Sequence, residues 1–173
     1  MKKTIIFAFI LSLLVMTVAC NGDTAATDFS EADIALVISG KTFAINDPVE
    51  AILETLGEDF EYSEMVSGTY DGFDKLYDYG TITVATVPPE GKDLIAAVYV
   101  LGGDQATTSK GIKIGSTLDE VEAAYGKGYT LDDDMLSYWA GPKNDIKTPT
   151  LCFSLDGESK VAEMSLFSAR SAG

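Results

Sequence analysis

The chain has 173 residues, with 27 acidic and 12 basic side chains, two cysteines, no histidine and a formal charge of −15. A net field of that sign repels nucleic acid and anionic lipid, so neither is an expected partner. Without histidine there is no Ser-His-Asp or Cys-His nucleophile system, and most zinc sites are also excluded.

The first element is not part of a fold. Lys2 and Lys3 precede an apolar run from Ile5 to Met16, broken only by Ser12, and then Thr17, Val18, Ala19 and Cys20. The run is short and flanked as a signal peptide is, which predicts one over residues 1–19. Its ending, "TVAC", resembles the lipobox of bacterial lipoproteins, with Thr17 where Leu is usual. That resemblance implies cleavage before Cys20, a diacylglyceryl thioether on its sulfur, and a further acyl chain such as palmitate or a free amine at the new N-terminus. Two or three chains anchor a protein stably, where one is marginal. The expected location is the extracytoplasmic face of the cell membrane. The alternative is a plain secretory peptide that leaves Cys20 a free thiol. Cleavage removes Lys2 and Lys3 and leaves 10 bases against 27 acids, a net of −17. A cationic partner is one reading of that charge, and solubility is the other. With Cys20 acylated, Cys152 stands alone, so the core must stabilise the fold without a disulfide.

Residues 20–33, "CNGDTAATDFSEAD", are small, polar and acidic, and predict a flexible tether. "DIALVISGK" (33–41) then predicts a leading strand that turns at Ser39-Gly40. Two stretches after it share one pattern, "KTFAINDPVEAILETLGED" (41–59) and "GIKIGSTLDEVEAAYGKG" (111–128). Aligned on Gly57 and Gly126, they pair Phe43 and Ile45 with Ile112 and Ile114 as short strands, and Asp47 with Ser116 as helix N-caps. Asp47 with Glu50 predicts a capping box, and Pro48 suits the first helical position. Val49, Ile52, Leu53 and Leu56 mark one helix face, as Leu118, Val121 and Tyr125 do the other, and each helix stops at its glycine. Helices of about nine residues do not stand alone, so each is expected to lie on a sheet.

The halves continue in step. "DKLYDYG" (74–80) resembles "DMLSYWA" (134–140), "TITVATV" (81–87) corresponds to "TLCFSLD" (150–156), and "LIAAVYVLG" (94–102) to "KVAEMSLFS" (160–168). Their near-alternation predicts antiparallel, half-buried strands. The loop "GPKNDIKTP" (141–149) has no counterpart in the first half. The expectation is an α+β fold of two tandem αβ repeats, each a short helix on an antiparallel meander. Repeat one covers 34–103, repeat two covers 104–170, and 171–173 is a tail.

With a lipobox ahead of it and a degenerate copy before it, "GIKIGSTLDEVEAAYG" resembles the lipoproteins whose tandem repeats are similar to the β-lactamase inhibitory protein. The resemblance covers roughly 36–170. It implies a helical segment on an antiparallel sheet in each repeat, and a concave binding surface formed by the tandem sheets. The same short signature occurs in small outer-membrane assembly lipoproteins of the BamE type, which leaves a structural role in the cell envelope as an alternative. β-Lactamase inhibition is a further alternative with little support here. The inhibitor's docking positions cannot be placed on this chain, and its disulfides have no counterpart.

Few residues suggest chemistry. Cys152 lies opposite in face to Leu151, Phe153 and Leu155, with no cation near it in sequence to activate it. Asp132, Asp133 and Asp134 lack the spacing of a calcium loop and read as a solvated turn, as do Glu58, Asp59, Glu61 and Glu64. The expectation is a non-enzyme with no cofactor, no metal and no catalytic residue. The aromatics carry more. Tyr77 and Tyr79 share a face, and Tyr138 and Trp139 must point to opposite faces. Tyr99 and Phe167 point away from the apolar sets Ala96, Val98, Val100 and Ala162, Met164, Leu166. An uncovered sheet face bearing Tyr77, Tyr79, Tyr99, Trp139 and Phe167 would suit a protein or peptide ligand, because Tyr and Trp dominate binding hot spots.

Overall fold

A computed structural model describes residues 29–168 except 146. The expected signal peptide, Cys20 and its lipid, most of the tether and the tail 171–173 lie outside the described residues. The fold is α+β and mostly sheet, with two α-helices and eleven strands in two antiparallel sheets.

The chain enters through β1 (Ala35–Ile38) and β2 (Lys41–Ala44), a hairpin closed by Ser39 and Gly40. Both have positive φ, 50° and 79°, as a two-residue turn of matching twist requires. The other edge of β1 pairs with β7 (Ala106–Thr108), giving a small sheet of order β2-β1-β7. Strand was expected at Ile112 and Ile114. Instead the strand lies earlier, and 111–116 turns back so that Ile112 O accepts from Thr108 N at 2.7 Å. Ile112 is buried all the same.

Helix α1 (Glu50–Leu56) and helix α2 (Leu118–Tyr125) are both short, and both are sewn to a sheet at their N-terminal ends. Val49 N donates to Asp93 O at 3.1 Å and Ile95 N to Asp47 O at 2.9 Å. Leu118 N donates to Ser159 O at 3.0 Å and Val161 N to Ser116 O at 2.8 Å. The expected caps are corrected here. Asp47 does not cap α1 or box with Glu50, because its carboxylate closes the preceding turn by accepting from Ala44 N at 2.8 Å. Pro48 forms a β-bridge to Leu94 instead of opening the helix. Ser116 is likewise a turn closer, accepting from Lys113 N at 3.3 Å. The cap of α2 is the next residue. Thr117 Oγ1 accepts from Glu120 N, while Glu120 accepts from Thr117 N at 2.7 Å, a full capping box. Gly57 and Gly126 do end the helices, with φ of 92° and 75° that a side chain would strain.

The large sheet has eight strands, ordered β3-β4-β5-β6-β11-β10-β9-β8. After α1 come β3 (Glu61–Val66), β4 (Phe73–Asp78), β5 (Ile82–Val87) and β6 (Leu94–Val100). After α2 come β8 (Thr130–Asp132), β9 (Met135–Trp139), β10 (Thr150–Leu155) and β11 (Val161–Phe167). Each meander therefore has four strands, not three. The additional members, β3 and β8, are the sheet's two edges, and β3 is exposed along its whole length. The triad Asp132, Asp133, Asp134 forms the tight β8–β9 turn, with Asp133 at φ 49°.

One face of this sheet carries the core. Ile52, Val49, Val121 and Tyr125 from the helices meet Val84, Val98, Leu136, Tyr138, Leu151, Phe153, Met164 and Leu166 from the strands in a single apolar cluster. Leu36, Ile38 and Phe43 of the small sheet join it. The expected tether is shortened at its end, because Phe29 to Asp33 pack on the domain. Phe29 lies 5.4 Å from the Tyr138 ring and 5.9 Å from that of Tyr125. Ser30 and Asp33 box a 3-10 turn, and Lys110 Nζ pairs with Asp33 at 2.9 Å.

Candidate functional site: the helix-free face of the large sheet

Residues paired across strands share a face, so the register sorts the aromatics. One row on the core side runs Tyr77, Val84, Val98, Leu166, Leu151, Tyr138. The adjacent row on the other side runs Leu76, Ala85, Ala97, Phe167, Thr150, Trp139. Beside it lies a third row, Asp78, Thr83, Tyr99, Ser165, Cys152, Ser137, Thr130, on the same helix-free face.

Of the five aromatics expected together, three share this face and two do not. Tyr99, Phe167 and Trp139 are on it. Tyr99 is 39% exposed, and the other two are half-buried. Tyr77 and Tyr79 belong to the helix side. Tyr77 is 8% exposed, and its ring lies 5.3 Å from Phe60 and 5.4 Å from Tyr62. Tyr79 stacks 5.4 Å from Phe60, and its hydroxyl donates to Gly57 O at 3.0 Å, at the end of α1. The two tyrosines share a face as expected, but it is the face that the core claims. Tyr138 does the same work at the other helix, its hydroxyl donating to Gly126 O at 2.7 Å. Burial pushes its phenol far above the usual range, so it stays a donor throughout ordinary pH.

Trp139 is held in place. Its Nε1 donates to Thr130 Oγ1 at 2.9 Å, which ties the indole to β8. The loop 141–149 docks at the same end of the strands, where Ser168 Oγ donates to Lys147 O at 3.1 Å and Ala140 N to Pro149 O at 3.0 Å. Thr150, between Phe167 and Trp139, is wholly buried. Cys152 does face away from Leu151 and Phe153. It is 3% exposed, with Sγ 3.3 Å from Ser137 Oγ, and burial raises its thiol pKa. A thiol so placed is a packing residue and a poor nucleophile.

The face is electrostatically one-sided. Its strand positions include Glu61, Asp74, Asp78, Asp132 and Glu163 and no lysine or arginine. Lys75, the one lysine within these eight strands, points to the helix side and pairs there with Asp93 at 2.6 Å. Toward the β3 edge the face opens into a cleft of about 330 Å³ whose lining includes Met65, Asp74, Lys75, Leu76, Ala85 and Val87. That volume is at the small end for ligand pockets, which span about 300–1,000 Å³. Sequence reading missed Leu76 as a face residue. Its position two before Asp78 was visible, but nothing in "DKLYD" says which side the helices cover.

No family model, curated protein or solved structure matches the chain. Among the described residues no helix is long and apolar enough to cross a membrane, and no group of three or more His, Cys, Asp and Glu side chains is placed to hold a metal ion.

Proposed function

We propose that the chain is a lipid-anchored, extracytoplasmic binding protein, built of two tandem αβ units, that recognises a protein or peptide through the helix-free face of its large sheet. The observation that carries the binding role is an open face centred on Leu76, Tyr99 and Phe167 whose charged strand positions are all acidic. A buried apolar centre within a polar rim is the arrangement of protein interfaces. The anchor rests on the n-region, apolar run and "TVAC" ending of residues 1–20.

The tandem reading, with units 34–103 and 104–170, is supported by features that recur at an offset of 69 residues (126 − 57) as far as β5 and β10, and of 66 residues (160 − 94) in β6 and β11. Asp47 and Ser116 close the same turn, Pro48 and Thr117 form the same bridge, and the sheet bulges fall at Ala85/Thr86 and Ser154/Leu155. The two halves meet across β6 and β11 with Val98 opposite Leu166 and Val100 opposite Met164, a pairing centred on Tyr99 and Ser165. Such an arrangement is what a two-fold relation between duplicated units would produce. It also makes one broad face from two narrower ones.

A photoreactive benzophenone side chain at position 99 of the full chain, in the source cell, tests the binding role. Position 54, exposed on α1 on the opposite side, is the control. A discrete adduct from 99 and none from 54 is expected. An adduct from 54 alone, or none from 99, would refute the face as the site.

A further inference from the structure

The cleft beside β3 narrows what the face can bind. Its walls are the apolar side chains of Met65, Leu76, Ala85, Val87 and Ala96, and Asp74 lies among them. Asp74 Oδ1 is buried and has no hydrogen-bond partner. A carboxylate oxygen held away from water without a donor is costly, and such groups call for an explanation. Among the described residues no lysine pairs with it. Lys75, its neighbour in β4, is committed to Asp93 on the far side of the sheet. Glu64, which like Lys75 also borders the cleft, has its own donor in the Tyr62 hydroxyl. The cleft thus has an apolar channel for methylene groups and, in its wall, a carboxylate with one buried, unpartnered oxygen, on a face whose charged strand positions are acidic.

We infer that this cleft receives a basic side chain, lysine or arginine, from the protein or peptide that docks on the face. The stem lies along Leu76, Ala85 and Val87, as long basic side chains cover apolar surface while their charged head seeks a polar partner. The Asp74 carboxylate, whose Oδ1 is closed off in the free protein, turns to meet the head and gains a charge-assisted hydrogen bond in place of the missing partner. Met65, 69% exposed at the rim, is unbranched and adapts to either head group. The inference rests on the face being the binding site and adds the chemistry of the residue it selects.

The test uses the full chain in detergent with labelled methyl groups, titrated by nuclear magnetic resonance with capped pentapeptides. One carries lysine at its centre, one arginine, and one norleucine, which keeps the stem and lacks the charge. The lysine and arginine peptides are expected to shift the methyl signals of Leu76, Ala85 and Val87 and to bind about tenfold more tightly than the norleucine peptide. Asp74→Asn should abolish that difference, while Glu54→Gln, exposed on α1 on the opposite side, should leave it intact. Equal binding of the three peptides, or discrimination that survives Asp74→Asn, would overturn the inference. So would the absence of shifts at these methyls at millimolar peptide. In each of those cases an adduct at position 99 would still stand, so failure of the cleft is distinguishable from failure of the face.

Discussion

Tyr138 and Tyr79 each place a hydroxyl on the carbonyl of the glycine that ends a helix, and the two sites differ chiefly in burial. Tyr138 is 1% exposed, and its ring is packed among Phe29, Tyr125, Tyr129 and Phe153 at 5.4 to 6.1 Å. Replacing it with phenylalanine keeps those ring contacts and removes one donor. Gly126 O then loses its partner where water has little access, which costs about 1–3 kcal/mol. A value near 1.5 kcal/mol, with a urea slope of about 2 kcal/mol per molar, lowers the unfolding midpoint by about 0.7 M. Tyr79→Phe removes the matching bond of 3.0 Å, but Gly57 is exposed and water takes the vacated place. Its cost should stay within about 0.5 kcal/mol. Equilibrium unfolding followed by the fluorescence of Trp139, the one tryptophan in the chain, measures both. If Tyr79→Phe costs as much as Tyr138→Phe, or Tyr138→Phe is neutral, the argument from desolvation is wrong.

Three other outcomes are expected. Thr117→Ala removes the capping box of α2 and should cost about 1 kcal/mol by the same unfolding assay, whereas Thr117→Ser should cost much less. Cys152 should resist alkylation in the native protein and react at the rate of a free thiol in urea; rapid native labelling would show that β10 opens easily or that the thiol is misplaced. Burial of Asp33 acts to raise its pKa, but Lys110 and the Ser30 hydrogen bonds outweigh that and hold it below the ordinary carboxylate value. A depressed folded-state pKa stabilises the fold above the unfolded value of about 3.9 and ceases to do so as pH falls through the folded one. Asp33→Asn should therefore destabilise at neutral pH and by progressively less as the pH falls below the ordinary carboxylate value, and a destabilisation that does not shrink in acid would contradict the ion pair.

What could be read from sequence followed from periodicity. The strands with a face in the core, β4, β5, β6, β9, β10 and β11, alternate well enough to be found, and Gly57 and Gly126 mark the helix ends. Edge strand β3 could not be found this way. "EYSEMV" is exposed at every position, so burial leaves no imprint on it. The helix caps were misplaced by one or two residues because Asp, Ser and Thr close turns as readily as they cap helices. The largest error concerned the face. Matching "DKLYDYG" to "DMLSYWA" sets Tyr79 against Trp139, whereas the hydroxyl contacts match Tyr79 to Tyr138, one residue earlier. In a strand, one residue is the difference between core and surface. Tyr77 and Tyr79 were grouped with Tyr99 and Phe167 because alternation tells which residues agree, not which side the helices choose.

The joins between the two halves have a consequence for how the molecule comes apart. Both β6–β11 and β1–β7 connect the segment before Leu101 with the segment after Gln105, and the apolar cluster draws on both. Neither segment can fold by itself without stripping β6 or β11 to a naked edge in the middle of what was a sheet. Solenoid repeats fray from their ends because each repeat contacts only its neighbours in series. Here the connections are doubled, so the two segments melt as one cooperative body. A backbone cut at the exposed Gly103–Asp104 link would sever the chain without dividing the protein. The two pieces would each be insoluble or unfolded alone, and mixing them would restore one fold held together by strand pairing across the break.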